Sequence, residues 1–326
     1  MHYLITGGAG FIGSHLADAL LDADHSVLAY DNLSTGRRGN IAHLEQNPRF
    51  SLAVGDVLDR SRLDEAISKA DVVIHLAAAV GVKRVMEKPV ETIKTNVGGT
   101  ETVLELAHQH DKKIAIASTS EVYGKAMQKD EELDALSETD DWTLGTTSKR
   151  RWAYACSKAM DEFLAKAYAD EHGLDVISLR FFNTVGPRQS GRYGMVIPNF
   201  VRQALAGEDI RVFGDGKQTR CFTHVFDAVE AVQRLLASDD DLRGEVFNVG
   251  SRHEISIRNL AERVRTLTDS DSNIVYVPYE EVYGAGFEDM RRRTPDVTKL
   301  RETIDFIPGR PTDEILQDVI AAVREA

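Results

Sequence analysis

Tyr154 and Lys158 stand four residues apart in a stretch, Ala153 to Ala169, whose apolar residues recur at helical spacing. On a helix they share a face one turn from each other. A free tyrosine has a pKa of about 10, too high for a base at neutral pH, but an ammonium held beside the phenol stabilises the phenolate and lowers it. The pair is therefore a candidate general base for a sugar or other alcohol. Thr119, Ser120 and Glu121 follow an apolar run at Ile114 to Ala117, and their hydroxyls suit the holding of a substrate OH for Tyr154. Gly7, Gly10 and Gly13 fall in TGGAGFIGS, directly after the apolar run Tyr3 to Thr6 and at the start of the amphipathic stretch Ile12 to Leu21. Glycines there permit a tight turn and close backbone approach to a pyrophosphate, while Phe11 and Ile12 open a helix whose unpaired N–H groups carry partial positive charge. Asp31 ends the next apolar run, where a carboxylate accepts hydrogen bonds from an adenosine ribose and repels a 2′-phosphate, so NAD is expected rather than NADP. Arg37 and Arg38 follow closely and offer the opposing chemistry. Asn32, Asp56, Val57 and Leu76 to Ala78 sit at later strand ends, where loops would line the adenine and ribose, and Lys158 is expected to face the cofactor as well as Tyr154. Tyr-x-x-x-Lys alone is commonplace on helices; joined to the glycine turn it becomes specific.

Short apolar runs that read as buried strands position these groups: Tyr3 to Thr6, Ser26 to Tyr30, Phe50 to Val54, Val72 to Leu76, Ile114 to Ala117 and Val176 to Leu179. Between them lie helical patterns at Ile12 to Leu21, Leu63 to Ser68, Val90 to Ala107 and Ala153 to Ala169. Such alternation implies right-handed crossovers and a parallel sheet covered on both faces. The expected fold class is α/β, a Rossmann doubly wound parallel sheet with a smaller mixed α/β C-terminal substrate lobe. Residues 1–185 are expected to form the cofactor domain, with 212–250 returning to it through a strand at Val246 to Val249. Residues 186–211 and 251–326 are expected to form the substrate lobe.

The chain has 326 residues and a net charge of −13, which argues against a duplex nucleic-acid partner. At 42% hydrophobic and 28% charged it reads as globular, and no run approaches the ~20 apolar residues of a membrane helix, so a cytoplasmic location is expected. Cys156 and Cys221 are too few for a disulfide framework and lack metal or redox spacing. His108 and His110, two apart on a helix, cannot face one metal, and no metal is expected. An anionic substrate would need arginines gathered in one place, and Arg188, Arg192, Arg220 and Arg291 to Arg293 are spread along the second half, after Asn183 at the end of the sixth strand.

TGGAGFIG, HLAAAV, STSEVYG, YACSK, FNTVGPR, GDGKQTRCFTHV and FNVG occur in this order. Together they resemble the extended short-chain dehydrogenase/reductases that act on nucleotide sugars. Within that family the stretches TSE at Thr119, RWAYACSK from Arg151, KQTRCFT from Lys217 and YGAGFEDMRRRTPD from Tyr283 are most similar to UDP-glucuronate decarboxylases. The HLAAAVGVK stretch departs from xylose-forming decarboxylases toward epimerases, with Lys83 loosely matching an epimerase lysine. The resemblance implies that Glu121 and Arg293 serve decarboxylation, that Arg220 binds phosphate, and that Asn183 contacts phosphate or sugar. Arg188 and Arg192 are expected in the substrate site as guanidinium forks for a diphosphate, and Arg291 and Arg292 are expected to be solvated. A homodimer through the Tyr154 helix and the helix near Val90 to Ala107 is expected from the resemblance.

The chemistry expected is oxidation of a UDP-sugar at C4, with Tyr154 taking the proton of the 4-OH. A glucuronate oxidised there is a β-keto acid, and loss of carbon dioxide leaves an enolate that the 4-oxygen carries, held by Thr119 and Tyr154. Glu121 would orient the ring or a water for protonation at C5, and Arg293 would hold the carboxylate. The product is a UDP-pentose such as UDP-xylose, or the UDP-4-keto-pentose if the ketone escapes. A 4-epimerase needs only the tyrosine, lysine and hydroxyl with room for the sugar to turn. A 4,6-dehydratase would carry an acid where this chain has Ser120. A non-catalytic NAD-binding sensor would commonly have lost the tyrosine or the lysine.

Overall fold

The structure is a computed structural model that describes residues 1–130, 132–191, 194–284 and 289–325. Its centre is a seven-stranded, wholly parallel sheet. The strands are β1 (His2–Thr6), β2 (Ser26–Asp31), β3 (Phe50–Val54), β4 (Val72–His75), β5 (Lys113–Thr119), β6 (Val176–Phe181) and Val246–Val249, in the spatial order Val246–Val249, β6, β5, β4, β1, β2, β3. The order reverses between β1 and β4, and that switch point opens a crevice at the carboxyl ends of the strands.

Period-two alternation puts different residues of one strand on opposite faces. Tyr3 and Ile5 of β1 and Ala115 of β5 join one core, beneath α1 (Phe11–Asp22), and Leu4, Ile114 and Ile116 join the other, beneath α2 (Arg60–Ser68). The near-continuous apolar character of these strands follows from this double coverage. Next come α3 (Val82–Glu87), α4 (Pro89–Ile93), a π turn at Lys94–Gly98 and α5 (Gly99–Gln109). The sequence predicts one helix over Val90 to Ala107; the π turn within it places Asn96 so that its side chain binds the Ala79 N–H at 2.8 Å and the Ser157 hydroxyl at 3.1 Å. After α6 (Ala126–Lys129) comes α7 (Trp152–His172), whose Ala165 and Ala169 pack into the second core. Gly173 closes α7 in the left-handed conformation with φ of 70°, which glycine adopts without steric cost.

The remaining strands are short: β7 (Thr184–Val185), β8 (Ile210–Phe213), β9 (Thr219–Cys221), β10 (Thr223–His224), then β11 (Val246–Val249, the sheet strand above), β12 (Glu254–Ser256) and β13 (Ile274–Val277). The helices among and after them are α8 (Val196–Leu205), α9 (Val225–Ala237), α10 (Ile257–Leu267), α11 (Tyr279–Tyr283), α12 (Thr298–Ile304) and α13 (Thr312–Glu325). A separate core gathers Ile210 and Val212 of β8, Phe200 and Val201 of α8, Leu260 and Val264 of α10, and Ile315 and Val319 of α13. Leu300 of α12 packs instead with the sheet, alongside Val229 and Val232 of α9 and Phe247 of β11. The elements around β8, α8, α10 and α13 thus have their own core, beside the sheet that β11, α9 and α12 join.

Candidate active site

A cleft of about 930 Å³ runs from the glycine turn, across the carboxyl ends of β1, β4 and β5, to the smaller core. Gly7, Gly10, Phe11, Ile12, Gly13, Asp31, Asn32, Asp56, Val57, Leu76, Ala77 and Ala78 line one part of it. Thr119, Ser120, Glu121, Tyr154, Lys158, Asn183, Arg220 and Arg293 line the rest.

The glycines are required by close approaches. Gly7 has φ of 72°, and a Cβ there would stand 2.9 Å from the Ala77 nitrogen; at Gly13 a Cβ would stand 2.3 Å from the Gly7 carbonyl oxygen. Gly10 caps α1 with no side-chain cap and no acidic residue in the first turn, so the helix presents open N–H groups and positive partial charge to the cleft. That cradle fits a pyrophosphate. The Asp31 carboxylate accepts from Ala9 N at 3.0 Å and from Leu33 N at 2.8 Å, which fixes the ribose end of the turn. Each oxygen keeps a further lone pair for a ribose hydroxyl. Asn32 donates to Asp56 at 2.8 Å, joining the ends of β2 and β3. Arg38 is held away by Glu45. The residues present fit NAD.

At the end of β5 the Thr119 hydroxyl accepts the Glu121 N–H at 3.2 Å and is hydrogen-bonded with the Tyr154 phenol. Burial, and then the charge of Glu121, push that phenol above its ordinary value. The sequence leads one to expect the lysine ammonium to lower it. Here burial dominates the phenol, while Nζ of Lys158 is 2.7 Å from Asp161 and both of those groups are buried.

Beside the phenol lies a network of carboxylates and guanidinium groups. Arg151, at the start of α7, binds Glu121 Oε2 and Asp289 Oδ1, each at 3.0 Å. Arg220 binds Asp289 Oδ2 at 2.8 Å, and Tyr279 donates to the same oxygen at 3.0 Å. Burial would raise the pKa of Glu121, but Arg151 and Arg293 outweigh it and hold the carboxyl below its ordinary value. Asp289 is pulled down to about 2, because Arg220 and Arg151 overcome its burial. Arg293 is different. Burial, and then the repulsion of Arg220, push it down to about 10, and its Nη2 donates to Asn183 Oδ1 at 2.8 Å. Its Nη1 is 3.8 Å from Glu121, and among the described residues neither Nη1 nor Nε has a hydrogen-bond partner. A buried guanidinium with unpaired donors in a cleft is set to receive an anion.

Not every expected ligand reaches this cleft. Arg188, expected at the substrate, does not line the cleft: at a left-handed φ of 65° its guanidinium pairs instead with Asp18 of α1 at 2.8 Å. Arg192 and the side chain of Lys83 lie outside the described residues. Asn183 lines the cleft, but its amide is used on Cys221 O and Arg293. Arg291 is exposed and Arg292 partly buried, paired with Asp215 and Glu254 respectively. Reading the residues alone missed Arg151, Asp289 and Asp161. Arg151 and Asp161 had a signal, lying three residues before Tyr154 and three after Lys158 on one helical face. Asp289 had none, since only the chain's return path brings it there. Among the described residues no cluster suited to a metal ion occurs.

A crevice at a sheet switch point, a glycine cradle and a Tyr-x-x-x-Lys face define a dinucleotide-dependent enzyme of the Rossmann type. The chain belongs to the NAD dependent epimerase/dehydratase family, whose model matches residues 3–250, and NAD is its cofactor. It is 46% identical over 323 residues to the UDP-N-acetyl-alpha-D-glucosaminuronate decarboxylase of Bacillus cytotoxicus, covering 99% of this chain and 97% of that one. It is 36% identical over 324 residues to UDP-glucuronic acid decarboxylase 1 of Arabidopsis thaliana, covering 99% of this chain and 70% of that one. Among solved structures it is similar to UDP-glucuronic acid 4-epimerase from Bacillus cereus in complex with UDP-glucuronic acid and NAD. That match has a TM-score of 0.89 and 27% identity, covering 100% of this chain and 99% of the other.

Proposed function

We propose that the protein is a UDP-hexuronate decarboxylase that oxidises its substrate at C4 and releases carbon dioxide from C5, the substrate being UDP-glucuronate or its 2-acetamido analogue. The observation that carries this reading is Arg293, a buried guanidinium with two unpaired donor nitrogens beside Tyr154 and Thr119. The names of the relatives at 46% and 36% identity support it and supply both 2-substituents.

NAD, when bound, supplies the two-electron acceptor for C4. Gly7, Gly10, Phe11, Ile12 and Gly13 would hold its pyrophosphate, Asp31 and Asn32 its adenosine ribose, Asp56, Val57 and Leu76 to Ala78 its adenine side, and Lys158 its nicotinamide side. Tyr154 takes the proton of the 4-OH, for which its phenol must first be brought down from its resting value by the Lys158 ammonium. Arg293 holds the C5 carboxylate, and Arg220 with Asn183 holds the phosphates and sugar. The ketone makes that carboxylate a β-keto acid, so carbon dioxide departs and the electron pair moves to the 4-oxygen. There Tyr154, now protonated, and Thr119 donate hydrogen bonds to the developing oxyanion. Glu121, kept ionised by Arg151 and Arg293, orients a water for protonation at C5. Ser120, buried and un-acidic, offers no proton to a leaving 6-OH, which disfavours dehydration. Arg192 remains a candidate phosphate contact.

The reading includes the division into a cofactor domain (1–185 with 212–250) and a substrate lobe (186–211 and 251–326), and a cytoplasmic, homodimeric protein. No helix among the described residues is long and apolar enough to cross a membrane. The homodimer is supported by the side-by-side helices α4 and α7, which expose Val90, Ile93, Met160 and Phe163. The test is incubation with NAD and, separately, UDP-glucuronate, UDP-N-acetylglucosaminuronate, UDP-galacturonate, UDP-glucose and dTDP-glucose, with products read by mass. Loss of carbon dioxide from a hexuronate is expected. An isobaric product of altered configuration would replace the reading with a 4-epimerase, loss of water with a dehydratase, and no turnover of any sugar with a sensor.

A further inference from the structure

Tyr154, Lys158 and Asp161 follow one another on a single face of α7, so phenol, ammonium and carboxylate form a row. Tyr154 and Lys158 line the cleft, while Asp161 lies behind them, fully buried, with Oδ2 on the lysine Nζ at 2.7 Å. The Thr100 hydroxyl of α5 stands beside the carboxylate and lies 3.3 Å from Nε2 of His75. Nδ1 of His75 is 2.7 Å from the Thr6 hydroxyl, which also accepts the Ala77 N–H at 3.2 Å. A buried polar row therefore joins the catalytic lysine to the turns after β1 and β4 that cradle NAD.

We propose that Asp161 is a positioning residue that holds Lys158 back from Tyr154 until NAD binds, and that it takes up a proton from solvent as the lysine leaves it. Cofactor binding is then linked to proton uptake. The step is one proton joining a carboxylate oxygen, with no other bond made or broken. A carboxylate sealed from water and deprived of its ammonium is strongly disfavoured in its charged form. Burial already raises the pKa of Asp161 above its ordinary value, against the pull of Lys158 and Thr100. The other ionisable groups facing it are Tyr154 and Glu162 of α7 and His75 of β4. Glu162 is engaged by Arg180 and Ser118, and His75 is held neutral, down at about 3, by burial and by Lys158. The Asp161 charge is also among the influences that push the Tyr154 phenol up. Neutralising it as the ammonium arrives removes that influence when the base is needed.

The test is calorimetric titration of NAD, with no sugar present, into the full-length protein carrying Tyr154→Phe, so that no phenol proton is released, in buffers of different ionisation heat at several pH values around neutrality. Uptake of up to one proton per NAD is expected, with affinity rising as pH falls, by up to about tenfold per unit for one linked proton. When Asp161→Asn is added the uptake should vanish and affinity become independent of pH, while adding His75→Gln should retain both. Three results would overturn the proposal: no uptake in the Tyr154→Phe protein, the same uptake when Asp161→Asn is added, or its loss when His75→Gln is added. The Tyr154→Phe and Tyr154→Phe, His75→Gln arms stand even if the variant with Asp161→Asn does not fold, and none depends on which sugar is the substrate.

Discussion

Arg293 separates hexuronates from neutral hexoses as substrates, because its unpaired donors ask for a carboxylate and a neutral hexose has none. Two charge-assisted hydrogen bonds are worth about 1.5 to 3 kcal/mol each. In Arg293→Met, kcat/KM for the hexuronate should therefore fall by at least about 100-fold, while inhibition by UDP-glucose changes little; an equal loss for both ligands would make Arg293 a general structural support. His75 gives a second prediction. Its folded pKa, down at about 3 from 6.5, is depressed by burial and then by Lys158, so the unfolded chain binds this proton first. The stability it confers is complete above pH 6.5 and is lost as pH falls toward 3. By pH 5 the loss is about 2 kcal/mol, and urea midpoints measured from pH 7 to 4.5, roughly the upper part of this window, should decline less steeply for His75→Gln than for the parent. Tyr154, Lys158, Glu121 and Arg293 were legible because helical spacing and motif order carry them. Asp289 was not, because the arginines that hold it come from α7 and β9.

α7 does two jobs at the scale of elements. One face carries Arg151, Tyr154, Lys158 and Asp161 toward the cleft and sheet, and the opposite side exposes Met160 and Phe163 beside Val90 and Ile93 of α4. Exposed apolar side chains grouped on adjacent helices mark an interface. Light scattering should give a dimer for the parent and a monomer for the double variant Met160→Glu, Phe163→Glu, with the far-ultraviolet circular dichroism unchanged; a monomeric parent would remove the dimer from the reading. Strand and helix alternation was legible because buried parallel strands are short apolar runs and their crossover helices are amphipathic. The extension of β5 to Thr119 and the π turn at Lys94–Gly98 were not. Both depend on partners elsewhere, Phe181 of β6 in one case and Ala79 with Ser157 in the other.

For the whole molecule, a net charge of −13 opposes an anionic sugar nucleotide, yet Arg151, Arg220 and Arg293 gather in one cleft. Added salt should weaken UDP-sugar binding if the local field dominates, and a dissociation constant that tightens with salt would show that the global charge wins. The amino-acid sequence by itself determined the doubly wound sheet, the glycine cradle for NAD and the Tyr154–Lys158 face, since each arises from periodicity or spacing within a few residues. Only the tertiary structure decided that Arg151 and Arg220 close on Asp289, that Arg188 pairs with Asp18, and that Arg293 is left with open donors beside Glu121. Those outcomes depend on which charges are brought within a few ångströms of one another and sealed from water, and residues more than a hundred positions apart meet there only once the chain has folded.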